Sequence, residues 1–284
     1  MPINFNEVCS KLKDIARGSG CILMKYFETD QLNENTKLNQ ADIVTNADIE
    51  SDAYIRKQFS TFFPEFGVIT EEGKNIQPKN PGEDEFWLCA DPLDGTTNFS
   101  CGVPYFSVSI ALLDHNYKPV VGVIYDPTRD ELFSGIKGQG SFLESPKGKK
   151  QLKCRTHDDL LKCLLVTGFS VTHLTSSDNN IREIQQLLPK IRCLRRFGGT
   201  CLDMCYVAAG RVDGYWERGP HIWDIAAGWI IATEAGCLVT DYNGNEFTRE
   251  TLQEPLLTPL VASPKIHKLM LENIKIARAD IKSD

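Results

Sequence analysis

Phe86-Trp87-Leu88-Cys89-Ala90-Asp91-Pro92-Leu93-Asp94-Gly95-Thr96-Thr97-Asn98 changes character at Asp91, and the rest of the chain is read from that change. The apolar run from Phe86 to Ala90 has the length and composition of a buried strand. It stops at Asp91-Pro92, so the strand delivers Asp91 to its C-terminal edge, where ligand sites of α/β sheets lie. Pro92 fixes the turn and Gly95 permits close backbone approach. Two carboxylates three apart on such a turn, Asp91 and Asp94, converge on one point with the Leu93 carbonyl between them. That donor set is all oxygen, as hard divalent cations require. A helical turn starting near Gly95 would aim the free N–H groups of Gly95 and Thr96 at a phosphate. An ordinary Asp/Pro/Gly turn would explain the octapeptide alone, so other acids must decide.

Two further acidic positions do so. The apolar run over residues 66–70 ends at Glu71-Glu72, again a strand edge. Asp224 follows Trp223 at the start of an apolar helical pattern (Ala226, Ala227, Ile230, Ile231) that stops at Gly236. Taken singly, Glu71 is a surface carboxylate and Asp224 a first-turn acid favoured by the helix dipole. Together they suit a phosphatase centre whose charge is balanced by cations rather than by Lys or Arg. A phosphatase of the haloacid dehalogenase type would need Asp-x-Asp-Gly-Thr with a nucleophilic first Asp. Here the spacing is Asp-x-x-Asp, which misplaces the second carboxylate.

Around these acids the pattern predicts intermixed helices and strands. Val8, Leu12, Ile15, Ala16, Ile22 and Leu23 mark an amphipathic first helix. Residues 28–41, polar and Asn-rich, read as a loop. Thr45-Asn46-Ala47-Asp48 reads as a capping box opening a second helix to about Phe59. Strands are expected over 105–113, 120–125, 131–136, 164–167, 214–217 and 237–240, with a hairpin turn at 241–245. The Gly/Pro/Ser/Lys-rich residues 135–151 mark a boundary, giving one catalytic unit, 1–284, in two halves: an α+β half over 1–143 and an α/β half over 144–284.

The 284-residue chain carries 31 Lys+Arg against 38 Asp+Glu, a net charge of −7, which argues against nucleic acid as its main ligand. Its most apolar stretch, near 225–233, falls far short of the roughly 20 residues a bilayer span needs. No secretory signal or C-terminal anchor motif is visible, so no membrane partner and a cytoplasmic location are expected. The 10 cysteines are scattered without a Cys-x-x-Cys pair, which favours buried thiols over disulfides or zinc.

Three segments together resemble the signatures of the inositol monophosphatase family: Gly67-Val68-Ile69-Thr70-Glu71-Glu72, Asp91-Pro92-Leu93-Asp94-Gly95-Thr96-Thr97-Asn98-Phe99 and Trp223-Asp224-Ile225-Ala226-Ala227-Gly228. The resemblance covers nearly the whole chain. It implies an α/β, layered αβαβα sandwich like that of fructose-1,6-bisphosphatase, a homodimer, dependence on Mg²⁺ and inhibition by Li⁺. By the same resemblance Glu71, Asp91, the Leu93 carbonyl, Asp94 and Asp224 hold the metal, and Glu71 helps position the attacking water. Thr96, hydrogen-bonded to Asp48, assists in activating it, and Lys37 is a loop contributor near the weaker metal. Asp94, Gly95, Thr96, Gly199, Thr200, Cys201 and Glu217 then contact the substrate, with Cys201 where a small residue is usual.

The implied reaction is hydrolysis of a small-molecule phosphate monoester, myo-inositol 1-phosphate or a similar polyol phosphate, by metal-activated water. Relatives with the same centre act on fructose 1,6-bisphosphate, NADP, histidinol phosphate or adenosine 3′,5′-bisphosphate; Asn98-Phe99 and Glu217 favour the inositol branch. A regulatory binding protein retaining the fold is the alternative from another class. Arg195-Arg196 reads as a helix-end or interface pair before a phosphate clamp.

Overall fold

The computed structural model describes residues 3–37, 42–171 and 176–279. The chain ends read for targeting signals, 1–2 and 280–284, lie outside the described residues, as does part of the expected 28–41 loop. Helix α1 (Phe5–Tyr26) begins where the Asn4 side chain accepts the Asn6 N–H, and it buries the Val8, Leu12, Ile15, Ala16, Leu23 stripe. Within residues 28–41 the structure places a strand, β1 (Glu34–Thr36), paired antiparallel with β2 (Ile43–Thr45). Glu34-Asn35-Thr36 is exposed throughout, so it has no apolar alternation to reveal it. Thr45 then opens α2 (Asn46–Phe62) with a complete capping box, three residues longer than expected at its C-terminal end.

Next come β3 (Gly67–Thr70), β4 (Trp87–Asp94) and the single turn α3 (Thr96–Ser100). They are followed by β5 (Ser107–Leu113), β6 (Pro119–Asp126), β7 (Glu131–Ile136), β8 (Gly140–Ser145) and β9 (Gly148–Gln151). These seven strands form one sheet in chain order, parallel between β3 and β4 and antiparallel thereafter. Strands β8 and β9 occupy the stretch expected as the boundary between halves. Its polar composition is that of a sheet edge: every residue of β9 is exposed. The 143/144 division therefore falls inside β8, and the change of sheet follows Gln151.

The second sheet draws on β10 (Leu164–Thr167), β11 (Cys193–Arg195), β12 (Gly214–Trp216), β13 (Leu238–Thr240) and β14 (Leu260–Ala262), in the spatial order β11-β10-β12-β14-β13. Helices α4 (Ile181–Leu187), α5 (Thr200–Ala208), α6 (Ile222–Glu234) and α7 (Pro264–Ala277) complete the chain. The turn at 241–245 is present, its Asp241 side chain accepting the Asn243 and Asn245 N–H groups at 2.8 and 2.7 Å. It closes no tight hairpin, because β13 pairs with the distant β14.

Three cores stack these parts into an αβαβα sandwich. One lies between α1, α2 and the outer face of the large sheet, around Leu12, Ile55, Leu88 and Val123. The second joins the inner faces of both sheets through α5 and α6. The third sits between the small sheet and α4 and α7, around Leu187, Trp216, Met270 and Ile274. Strands β4, β5 and β6 are buried at every residue, as strands covered on both faces must be, so their sequences are apolar without alternation. Helix α6, wedged between two sheets, is apolar on almost all sides. It approaches β6 so closely that a Cβ on Gly122 would stand 2.6 Å from the Ala227 carbonyl.

Candidate active site

Four segments meet at one edge of the sandwich. The β3–β4 pair is parallel, so the ends of both strands, Glu71 and Asp91–Asp94, reach the same edge. The N-terminal turns of α5 and α6 bring Gly199, Thr200, Cys201 and Asp224 from the other side. Between them lies a cavity of about 410 Å³ lined by Lys37, Glu71, Asp91, Leu93, Asp94, Gly95, Thr96, Thr200, Glu217 and Asp224. Phe169, Ser170, Val171, His221 and Trp223 also face it. A second pocket of about 180 Å³ adjoins it, bounded by Arg196, Gly198 and Gly199 and sharing Asp94, Thr200 and Glu217.

The irregular end of β4 and the turn after it are built as their residues require. Asp91 Oδ1 accepts the Leu93 N–H at 2.9 Å. Gly95, at φ +91°, caps α3 in the left-handed region, and a Cβ there would come within 3.0 Å of the Tyr105 carbonyl. Asn98 Nδ2 donates to the carbonyls of Tyr105 (2.8 Å) and Phe197 (2.9 Å), tying this turn to the loop that precedes α5. That tie brings the Thr200 and Cys201 N–H groups onto the Asp94 carboxylate at 3.1 and 2.9 Å. Asp94 thus sits on the N-terminus of α5, where the helix dipole favours a negative charge.

The electrostatics is that of carboxylates crowded out of water. Burial, with Glu71, Asp224 and Asp94 nearby, raises the Asp91 carboxyl well above the carboxylate range. Burial and the Asp224 charge push Asp94 to about 8, against the pull of the Cys201 N–H. Burial raises Glu71 to about 7, opposed by Lys37 and assisted by Asp224. Lys37 Nζ donates to Glu71 Oε1 at 2.8 Å and also contacts Glu72. Burial would lower the Lys37 ammonium, but the two glutamates overcome it and raise it.

The donors suit a hard cation. Ligand atoms of Asp91, Asp94 and Cys201 lie within 4.8 Å of one another. The Cys201 thiol is fully buried, donates to the Asp224 carbonyl at 3.1 Å, and is held neutral because burial pushes its pKa up. A neutral thiol is a poor metal ligand, so the usable donors are the carboxylates and the Leu93 carbonyl. Cations at this point would relieve the repulsion among the carboxylates without asking them to take up protons.

The remaining predicted residues are arranged around that cluster. Thr96 Oγ1 donates to Asp48 Oδ1 (3.2 Å) and also lies 3.1 Å from the Leu93 carbonyl. Asp48 meanwhile accepts the Thr45 N–H and hydroxyl at 2.8 and 2.5 Å, so one carboxylate serves both the helix cap and the site. Burial lifts it to about 6, against those two hydrogen bonds. Glu217 Oε2 accepts the Tyr215 hydroxyl at 2.7 Å and the Thr200 hydroxyl at 3.1 Å. Burial raises Glu217 to about 7, against those hydrogen bonds. Asp224 accepts the His221 N–H at 2.6 Å, so it too combines a cap with a place in the cleft.

Cys201 joins the site through its backbone; its side chain points into the core and lines neither pocket. Arg196 borders the smaller pocket, whereas Arg195 turns away to Cys193 Sγ (2.6 Å) and the Leu194 carbonyl (3.0 Å). His221 and Trp223, stacked at 4.7 Å between ring centroids, form a wall that residue spacing did not single out. The aromatic pair flanking an acid in His221-x-Trp223-Asp224 is the one signal that could have marked it.

The chain is similar to known proteins over nearly its whole length. The sequence profile described as the inositol monophosphatase family matches residues 5–278. The chain is 38% identical over 265 residues to the Nus factor SuhB of Pasteurella multocida, covering 93% of this chain and 94% of that protein. It is 36% identical to the Nus factor SuhB of Escherichia coli K12, over 93% of this chain and 94% of that one. Among solved structures, the extragenic suppressor protein suhB of Bartonella henselae superposes with a TM-score of 0.84 at 33% identity, over 95% and 98% of the two chains. The inositol monophosphatase of Anabaena gives 0.81 at 34% identity, over 96% and 97%. With profile and relatives both spanning nearly its full length, the chain belongs to the inositol monophosphatase family.

Proposed function

We propose that this protein hydrolyses phosphate monoesters of small polyols with Mg²⁺ as cofactor, and that myo-inositol 1-phosphate is a substrate. The observation that carries the reading is the convergence of Glu71, Asp91, Asp94 and Asp224 on one cleft with the Leu93 carbonyl between the two aspartates. In this reading those residues hold the cation, which when bound supplies charge neutralisation for the phosphate and a lowered water pKa. Glu71 and Thr96, the latter braced by Asp48, orient the attacking water. Thr200 and the Gly95–Thr96 backbone border the place of the phosphate. Glu217 and Asp94 accept hydroxyl hydrogen bonds from the polyol, with Gly199 and Cys201 shaping the loop beside it. Lys37 reaches the outer acids from the β1–β2 hairpin. No covalent intermediate is required. The same reading carries a homodimer and inhibition by Li⁺.

The test is phosphate release from myo-inositol 1-phosphate with and without Mg²⁺, for the wild type and Asp91→Asn. Release that needs both Mg²⁺ and Asp91 is expected. Failure to release phosphate from any monoester overturns the proposal, and much faster turnover of fructose 1,6-bisphosphate or NADP redirects the substrate. The name Nus factor borne by the sequence relatives favours a second reading, a regulatory role. A role independent of the acidic cluster would survive Asp91→Asn, whereas hydrolysis would not.

A further inference from the structure

Away from the acidic cleft, two nucleophilic side chains meet in the core between the sheets. Cys154 follows β9 and Cys237 precedes β13, and both belong to the same buried cluster. The Cys154 N–H donates to the Ala235 carbonyl at 3.0 Å, which sets the two backbones side by side. Cys154 Sγ lies 3.7 Å from the point where a Cβ on Gly236 would stand, next to residue 237. Each thiol is the largest single influence on the other's ionisation, and both are free. We propose that Cys154 and Cys237 form an oxidisable dithiol, a modification site at which a small peroxide makes a disulfide across the C-terminal end of α6.

The pair is asymmetric in the way such chemistry needs. The neighbouring Cys237 thiol lowers Cys154 to about 7 against its burial, helped by its own backbone N–H and by Lys153. The Cys154 thiol in turn, with burial, holds Cys237 well above the usual thiol range. Burial raises Cys9, Cys89, Cys163, Cys201 and Cys205 as well, so none of those is the readier nucleophile. The Cys154 thiolate attacks one peroxide oxygen, the O–O bond breaks, and hydroxide leaves, giving a sulfenic acid. The Cys237 sulfur then displaces that hydroxyl as water, its own proton being lost, and the S–S bond forms. In sum two thiols and one hydrogen peroxide give a disulfide and two waters. With exposures of only 7% and 5%, the pair calls for a small neutral oxidant rather than a bulky one. The bond would tie the exit of the large sheet to the start of β13, an edge strand of the small one, closing the chain from 154 to 237.

The experiment takes the reduced full-length protein, exposes it to stoichiometric hydrogen peroxide, alkylates the remaining thiols in denaturant and maps the peptides by mass. The expected result is loss of two of the ten alkylatable thiols, a Cys154–Cys237 cross-linked peptide about 2 Da lighter than the two free ones, and reversal by dithiothreitol. Cys154→Ser and Cys237→Ser should each abolish that peptide. Should either variant fail to fold, the rate of Cys154 alkylation by a small reagent in the folded wild type serves instead, and it should reach half its maximum near pH 7. The proposal is overturned if Cys154 and Cys237 stay alkylatable while other thiols oxidise, if Cys154 stops at a sulfinic acid without a cross-link, or if its alkylation rate is flat through neutral pH.

Discussion

Glu217→Gln should have opposite effects on stability and on catalysis. Glu217 is buried, and its carboxyl ionises at about 7 in the fold against 4.5 for an ordinary glutamate. A carboxyl with a raised folded pKa stabilises the protein most at low pH, and that contribution is lost as pH rises through the window between the two values. The shift of about 2.5 units corresponds to about 3 kcal/mol at 1.36 kcal/mol per unit. Glutamine cannot ionise, yet its carbonyl can still accept the Tyr215 and Thr200 hydroxyls. The variant should therefore lie close to the wild type at about pH 4.5 and exceed it by about 3 kcal/mol at about pH 8. Urea denaturation with chelator present, run side by side at several pH values, measures the difference and cancels the titrating groups that Glu217 does not touch; Asp94 and Asp203, which its charge also raises, add to the same trend. Hydrolysis of inositol 1-phosphate should meanwhile show a raised KM, because the amide answers a substrate hydroxyl with a weaker acceptor. A stability difference that does not vary with pH would refute the reasoning, since it would mean that Glu217 is ionised in the fold.

Three other outcomes follow from the same geometry. Gly95→Ala forces a Cβ onto a φ of +91° and within 3.0 Å of the Tyr105 carbonyl; it should cost at least about 1–2 kcal/mol in urea denaturation and lower kcat with it. Thr45→Ala removes the α2 cap and one of the two Thr45 bonds on Asp48, so a loss of about 1 kcal/mol and reduced turnover are expected, whereas Thr45→Ser should retain both. Phe99→Ala empties a fully buried site whose ring stands 4.9 Å from Phe106; calorimetry should show a loss of about 3–5 kcal/mol with the KM of the folded enzyme nearly unchanged.

How much was legible in the chain depended on the kind of signal. The α1 stripe, the α2 capping box and the helix stop at Gly236 are local patterns, and each stands where its residues placed it; the buried β4 is present too, but it runs on past the expected stop at Asp91 to Asp94, pairing with β5 across a register shift. Strands β1 and β9 escaped because they are short, polar and exposed throughout, so the apolar signal disappears. Lys37 stands in a polar stretch with no apolar periodicity to place it, and only the pairing of β1 with β2 sets it against Glu71. For Cys201 the resemblance implied only a place in the loop beside the substrate, and the fold decides which of its atoms face the cleft: its N–H meets Asp94 while the thiol goes inward to the Asp224 carbonyl.

By itself the sequence determined which acidic groups stand at strand and helix ends. Acids at strand ends, a Pro–Gly turn between them and an acid at a helix start are consequences of local backbone rules. What the tertiary structure decided was their meeting. Asp91 and Asp224 are far apart in the chain, and only the parallel β3–β4 pair, the packing of α6 against the large sheet and the Asn98 tie to the α5 loop bring them to one cleft. The raised pKa values belong to that level as well, because desolvation and mutual repulsion exist only once the carboxylates share a buried space.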